Sequence, residues 1–490
     1  MYKKCYRVLF LPLLLCVTEL AHADYPPSIF VPRQLSYNPI LENAAVLAKN
    51  RDADCWNWIF SVKPLYTQSA GDKFDTYFNI CHKECMNVQE NGSGDIDSLW
   101  FKVMGSYIFF PREDTFYSST LSFNPIRKTY GAMLYFALEL PRDFEVSINT
   151  AAIKATNNMH ICETNITNPG IISGFSTLTQ SFTSTGLCYG RICGSQSTSG
   201  IDDVQIKLIK HLQCSDATKN VDVYGLIGVP TGKGSQAHYL FEPLVGSKHV
   251  QLGVGTDFAY DFAHFDCATF SLLGEFKWRY GLTGKETRSF DLCNNGQWSR
   301  YLLAVNESNK LLTFPAINVL TFTANVTPRN AVDIYLALHM DTTKWNFELG
   351  YDFWYRSAEK ISLACCDGFA TTVGIADLPG IAILDPQSAS TANISQGVNE
   401  GIEVLRAPPL TSTNSIVSDP AFIPITISDI NKNSGAQPKS MSNSIYTNVS
   451  YARTFKGLDT QLGLSFAYEI GANGNTPNNI FGWLNFDLYV

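Results

Sequence analysis

In several stretches of this 490-residue chain, the ionisable side chains keep to every second position. Between Val250 and Phe262, Asp257 and Asp261 share a side with Gln251, Gly253, Gly255 and Ala259. The other side is Val250, Leu252, Val254, Thr256, Phe258, Tyr260 and Phe262. From Cys267 to Tyr280, Glu275, Lys277 and Arg279 oppose Phe270, Leu272, Phe276, Trp278 and Tyr280. From Lys344 to Arg356, Glu348, Asp352 and Arg356 oppose Trp345, Phe347, Leu349, Tyr351, Phe353 and Tyr355. Asp333, His339 and Glu469 add to the set from Val332–Met340 and Leu462–Ile470. If the strands close on themselves, these charges meet inside. There they could form a selectivity ring or a binding site, or a network that fills and stiffens the interior. Their mixed signs favour the network. Trp354 falls on the polar side and could line the same lumen.

No catalytic constellation stands out. The chain holds no Gly-x-Ser-x-Gly, no His-Glu-x-x-His and no phosphate-binding glycine loop. Cys81-His82-Cys85 has the spacing of half a zinc site, but no second ligand pair matches it. No metal or cofactor is expected, and no enzyme activity.

Side chains alternate faces along a strand, so each charged stretch has one oily wall and one polar wall. Strands of about ten residues of this kind, with aromatics at the ends of the oily wall, fit a tilted membrane crossing. Trp278, Tyr280, Trp345, Tyr351, Phe353 and Tyr355 would then belong to the aromatic girdles at the lipid interface. Composition agrees: aromatics are 13% and charged residues 16%, against roughly 25% charged in soluble domains. Beyond the N-terminus no apolar run reaches the length of about 18 that a spanning helix needs.

The N-terminus reads as a signal peptide: Lys3, Lys4 and Arg7, then apolar Val8–Val17, then Ala21-His22-Ala23 before Asp24. Cleavage there moves the formal charge from −8 to −10, because three basic residues and one acidic residue leave. An acidic exported chain is a poor nucleic-acid partner, since binding DNA or RNA needs a basic surface. Eleven cysteines remain, and Cys81/Cys85 and Cys188/Cys193 are candidate local disulfides on an oxidising export route.

The organisation expected is a signal peptide over 1–23, a periplasmic segment or plug over 24–55, and a barrel over 56–490 carrying a long loop at 357–443. Strands are expected at Trp56–Tyr66, Leu99–Phe110, Tyr130–Leu140, Phe144–Ile148, Val204–Leu212, Val221–Val229, Ile317–Val326, Ile445–Phe455 and Ile480–Val490, besides those above. With the short turns between them, this gives an all-β, antiparallel up-and-down transmembrane barrel of about 12–16 strands. Parity raises a conflict. Counted back from Val490, and forward from the Phe262–Cys267 turn taken as periplasmic, Ile445–Phe455 and Lys344–Arg356 both run toward the periplasm. Either 357–443 hides a strand, at Ile402–Arg406 or Ile423–Ile427, or one turn is misassigned.

The chain thus resembles a bacterial outer-membrane β-barrel. More narrowly, Gly228-Val229-Pro230-Thr231-Gly232 and Gly200-Ile201-Asp202-Asp203 resemble short elements of the hydrophobic-compound transporter barrels, the fatty-acid and aromatic-degradation channels. Tyr37-Asn38-Pro39 resembles their N-terminal asparagine-proline element. The C-terminal Phe486-Asp487-Leu488-Tyr489-Val490 departs from the usual terminal aromatic by one place. The resemblance implies a passive outer-membrane channel for small or hydrophobic solutes, embedded in the lipid bilayer and inserted by barrel-assembly machinery. The different reading is an adhesive or structural surface barrel whose loops 150–200 and 357–443 bind a partner.

Overall fold

The computed structural model describes residues 26–43, 57–70, 73–89, 94–102, 117–167, 177–212, 218–306, 309–363, 373–375, 393–395, 424–455, 458–472 and 474–489. The expected signal peptide and Ile402–Arg406 lie outside them.

Twelve antiparallel strands form a closed barrel. They are β1 (Trp58–Ala70), β2 (Ile126–Leu140), β3 (Phe144–Asn158), β4 (Val204–Leu212), β5 (Lys219–Val229), β6 (Gln251–Phe265), β7 (Ala268–Gly281), β8 (Arg329–Thr342), β9 (Trp345–Arg356), β10 (Ser440–Phe455), β11 (Leu458–Gly471) and β12 (Asn478–Tyr489). Each pairs with the next in sequence, and β1 pairs with β12, from Ile59↔Tyr489 to Ala70↔Asn478. Closure leaves no unpaired edge, which is the condition for a sheet to cross hydrocarbon. The all-β up-and-down architecture and the expected strand number both hold.

The alternation sets the two faces. Among the described residues, the large apolar side chains that remain exposed lie on the twelve strands, except Ile201, Val250, Leu282 and Ile427. Leu349, Leu464 and Phe466 are 55–58% exposed on the outer face, while Glu348, Ser465 and Asp352 beside them are buried on the inner face. A continuous oily belt of this extent is far larger than a soluble monomer tolerates; it is a transmembrane surface.

The two ends of the barrel differ. At one, short turns join β2 to β3, β6 to β7, β8 to β9 and β10 to β11. At the other, the connections build a cap. It contains two three-stranded sheets (Gly284–Ser289, Thr321–Thr327 and Lys360–Ser362; Leu303–Asn306, Asn309–Pro315 and Val373–Ile375), a four-stranded one that includes Met86–Gln89 and Cys162–Thr167, and one two-stranded pair. Its core gathers Trp100, Phe101, Phe182, Phe290, Trp298 and Tyr301, all nearly or fully buried. Trp298 donates its indole N–H to the Phe78 carbonyl at 2.9 Å.

Several strand expectations need correction. Thr321–Thr327 is a strand, but of the cap: it pairs with Gly284–Ser289, and Phe322 stacks on Phe290 at 4.8 Å. At seven residues it is too short to cross a membrane. Strand β8 instead pairs with β7, so β9 runs toward the cap and β10 away from it. The parity conflict thereby disappears. Among the described residues, 357–443 supplies no barrel strand beyond the first four residues of β10; Ile427–Asp429 is a 3-10 turn. Leu99–Lys102 is helical, with Trp100 and Phe101 turned into the cap core. Phe144–Asn158 is a full 15-residue strand, so the first part of 150–200 is barrel wall. Neither candidate local disulfide is formed: the seven described cysteines are free thiols, all exposed except half-buried Cys193.

Candidate functional site: the occupied lumen

Residues 26–43 occupy the barrel interior. The segment starts in the cap, where Ser28 N–H donates to the Ser434 carbonyl and Arg300 donates to the Pro26 carbonyl. It then descends into the lumen. There Leu35, Ile40 and Leu41 pack against inward Leu65, Met133, Ala151 and Ile153. Its last described turn, Pro39–Asn43, is helical. The Asn38 carbonyl accepts from the Leu41 and Glu42 amides, and Pro39 suits the first helical position because it has no amide to satisfy.

Two charges anchor the segment. Arg33 reaches across the barrel to Asp352 at 2.6 Å and Asp333 at 2.7 Å, with Glu469 at 3.8 Å. Arg279 takes the other oxygen of Asp333 at 2.8 Å and lies over the Tyr37 ring at 4.3 Å. Trp354 sits between Arg33 and Arg356, 5.5 Å from each, and Arg356 donates to the Val31 carbonyl. Below this, Glu42 pairs with Lys207 and with Lys277 at 2.8 Å, and both lysines also pair with Glu275. Lys63 donates to the Leu41 carbonyl at 2.7 Å. Arg33 and Arg279 with Asp333 and Asp352, and Glu42 and Glu275 with Lys207 and Lys277, are buried charges paired with opposite ones, as low dielectric requires, while Arg356 and Lys63 donate to backbone carbonyls.

The short elements at 37–39, 200–203 and 228–232 meet at one place. Asp202 and Asp203 interrupt a wall strand: Gln196–Ile201 pairs with the cap-side part of β3, and β4 pairs with the rest. The Asp202 carboxylate accepts the Ser36 amide at 3.0 Å, and its carbonyl accepts Thr231 Oγ1 at 2.6 Å. Asp203 accepts the Ser247 amide at 3.1 Å. Gly228 leaves the space that the Tyr37 hydroxyl fills; a Cβ there would collide with it.

On the far side of Glu42, toward the short-turn end, the lumen opens into a cavity of about 1280 Å³. His339 and Asp261 line it. Asp261 accepts from Ser271 at 2.6 Å, and His339 Nδ1 lies 3.3 Å from Glu348. Glu348 also accepts from Tyr335 at 2.7 Å and from Tyr446.

The structure thus gathers Asp333, Asp352, Glu469 and Arg279 around Arg33, and Glu275 and Lys277 around Glu42. Asp257, Asp261 and His339 face the cavity, with His339 bonded to Glu348, while Arg356 and Trp354 border the upper segment. The interface aromatics sort into two levels. Trp278, Tyr280, Tyr351, Phe353 and Tyr355 lie toward the cap on the outer face; Trp345, packed on Tyr451 at 5.1 Å, lies at the short-turn end. The residues not singled out from sequence are Arg33, Glu42, Lys207, Lys63, Tyr335 and Tyr446. Lys207 alternates with apolar neighbours in β4 and was within reach of the face rule. Arg33 and Glu42 lie in an aperiodic segment, where no pattern marks them.

No protein family and no curated protein matches the chain by sequence. Among solved structures, it is similar to an outer-membrane channel from Pseudomonas putida F1, at 9% identity and a TM-score of 0.37, over 91% of this chain and 100% of that one. It is also similar to a FadL homologue of Pseudomonas aeruginosa, at 7% identity and 0.27, over 89% of each chain. The toluene transporter TodX of Pseudomonas putida gives 6% identity and 0.25, over 94% of each. At such values the likeness carries no argument of its own, and the barrel assignment rests on the strand pairing described above.

Proposed function

We propose that this chain is a channel of the bacterial outer membrane, delivered by a signal peptide cleaved near Ala23/Asp24 and inserted by barrel-assembly machinery. Its short-turn end faces the periplasm, its cap faces outward, and residues 26–43 close the passage. One observation carries this reading: the 1280 Å³ cavity ends against a segment held by side chains and packing. Among the described residues, no strand pairing ties 26–43 to the wall. Side-chain anchors can be exchanged without unzipping a sheet, so the closure can move while the barrel stays intact. The polar walls of the cavity favour small polar solutes over hydrophobic ones.

The test is solute uptake by vesicles holding the mature protein or its Arg33→Ala/Glu42→Ala variant. Removing both anchors is expected to raise uptake of small polar solutes by about tenfold or more, since breaking a buried pair costs roughly 3–5 kcal/mol. Vesicles equally sealed with both proteins, across solutes, would sink the proposal. The folded cap supports a second reading, adhesion. Loss of binding to host or envelope surfaces on cap disruption, with uptake unchanged, would favour it.

A further inference from the structure

The described residues around the cavity on the short-turn side carry an excess of negative charge. At the level of Glu42 the charges pair off, two carboxylates with two lysines. Among the described residues of the lining, eight carboxylates face three lysine or arginine side chains. A recess with low-dielectric walls concentrates the field of such an excess and draws in cations.

A second observation is independent of the charge count. His339 is 3% exposed and lines the cavity, yet its Nε2 has no hydrogen-bond partner. Its other nitrogen is committed. Glu348 Oε1 accepts from two tyrosines; a carboxylate only accepts, so its Oε2, 3.3 Å away, pairs with the tautomer that carries the hydrogen on Nδ1. In the neutral ring Nε2 is then a bare lone pair, an acceptor waiting for a donor. Asp257 Oδ1, also on the lining, is buried and unpartnered. The strand register sets Asp261, Ser271, His339 and Glu348 side by side on β6, β7, β8 and β9. This row is part of the wall, not of a mobile loop. Among the described residues, no three His, Cys, Asp or Glu side chains converge closely enough to hold a metal ion. The acceptors are spread across a space of small-molecule size.

We propose that this cavity is a binding site for organic cations carrying ammonium or guanidinium groups. His339 Nε2, Asp257 and Asp261 accept the hydrogen bonds of the cation, and Glu348 orients the imidazole. The proposal deepens the channel reading by naming its solute class and rests on that reading for passage alone; binding stands or falls separately.

The experiment is titration calorimetry of the full-length protein in detergent with 1,5-diaminopentane. Glutarate, a dianion of the same chain length, is the counter-probe. The diamine is expected to bind at least tenfold more tightly than glutarate. His339→Leu and Asp261→Asn should each weaken it by about tenfold, the usual size of one lost charge-assisted hydrogen bond. Asp261 is only partly buried, so Asp261→Asn keeps the test decisive should His339→Leu fail to fold. Equal affinity for both probes, or wild-type affinity in Asp261→Asn, would overturn the site. Diamine binding as expected, with vesicles that never admit it, would leave the site standing and count against the channel instead.

Discussion

The two ends of this barrel are built on different rules. The short-turn end is local: adjacent strands meet through connections of a few residues, and the register follows from them. The capped end is remote. There, segments near Trp100, Phe182, Trp298 and Ile430 come together from across the sequence to bury one aromatic core. Among the described residues, the first arrangement surrounds a polar cavity; the second covers its end of the barrel and holds the start of the inner segment. The same face alternation serves both. In the barrel the oily face meets lipid. In Thr321–Thr327 it meets Phe290 and the cap core.

Four measurements break or sharpen this contrast. The largest effect is expected from Trp298→Ala. It empties a fully buried site in the cap core, which typically costs about 3–5 kcal/mol. Limited proteolysis should then cut the cap, while gel mobility of the unheated barrel stays that of the wild type. Joint loss of both would mean that cap and barrel are one cooperative unit. Next, Leu349→Arg puts a charge on the outer face near the middle of β9. At the bilayer midplane such a change costs about 2–4 kcal/mol, read from denaturant titration of folding into vesicles. A cost near zero would argue that this face meets water.

A smaller effect is expected from pH at the base of the cap. Burial alone would lower the pKa of His249, but its hydrogen bond to Glu286 and the nearby carboxylates outweigh burial and raise it. Burial likewise works against ionised Glu286, yet Arg288 and His249 hold its carboxyl down at about 2. The signs follow. The histidine's contribution is complete below its unfolded pKa of about 6.5 and fades as pH rises through its raised folded value. The glutamate's contribution is present above about 4.5 and is lost as pH falls toward 2. Intrinsically corrected hydrogen exchange around 247–250 and 284–288 should therefore speed up on the alkaline side. In His249→Gln that dependence should vanish; its persistence would assign the effect elsewhere. The mildest probe perturbs nothing. Cys267 is in the β6–β7 turn, whereas the exposed thiols of Cys81, Cys85, Cys162, Cys188 and Cys293 are on the cap side. An impermeant maleimide on intact cells should label the cap thiols and spare Cys267. Labelling of Cys267 alone would invert the orientation proposed here.

Most of the wall was legible from the chain. Val250–Phe262, Cys267–Tyr280 and Lys344–Arg356 coincide with β6, β7 and β9 to within a few residues, because every second residue must face lipid and only apolar side chains do so cheaply. The failures share a cause. Of Leu99–Phe110, residues 103–110 lie outside the described residues, and Leu99–Lys102 became a helix because Trp100 and Phe101 could be buried in the cap. Ile317–Val326 alternates well, but alternation says only that one face is covered, not by what.

The candidate site divides along the same line. Asp257, Asp333, His339, Glu348 and Asp352 were assigned inward by their side of the strand, and inward they point. Their partners were beyond reach of any pattern. Arg33 pairs with residues about 300 positions away, and Glu42 with Lys207 and Lys277.

What the amino-acid order determined by itself was the two-sided strand, and with it a closed sheet wet inside and oily outside. That is a period-two property, readable a few residues at a time. Which charges neutralise one another, and that 26–43 fills the lumen above a polar cavity, only the tertiary structure decided. A buried charge must find an opposite one wherever closure of the barrel brings it, and closure joins positions that no local spacing connects.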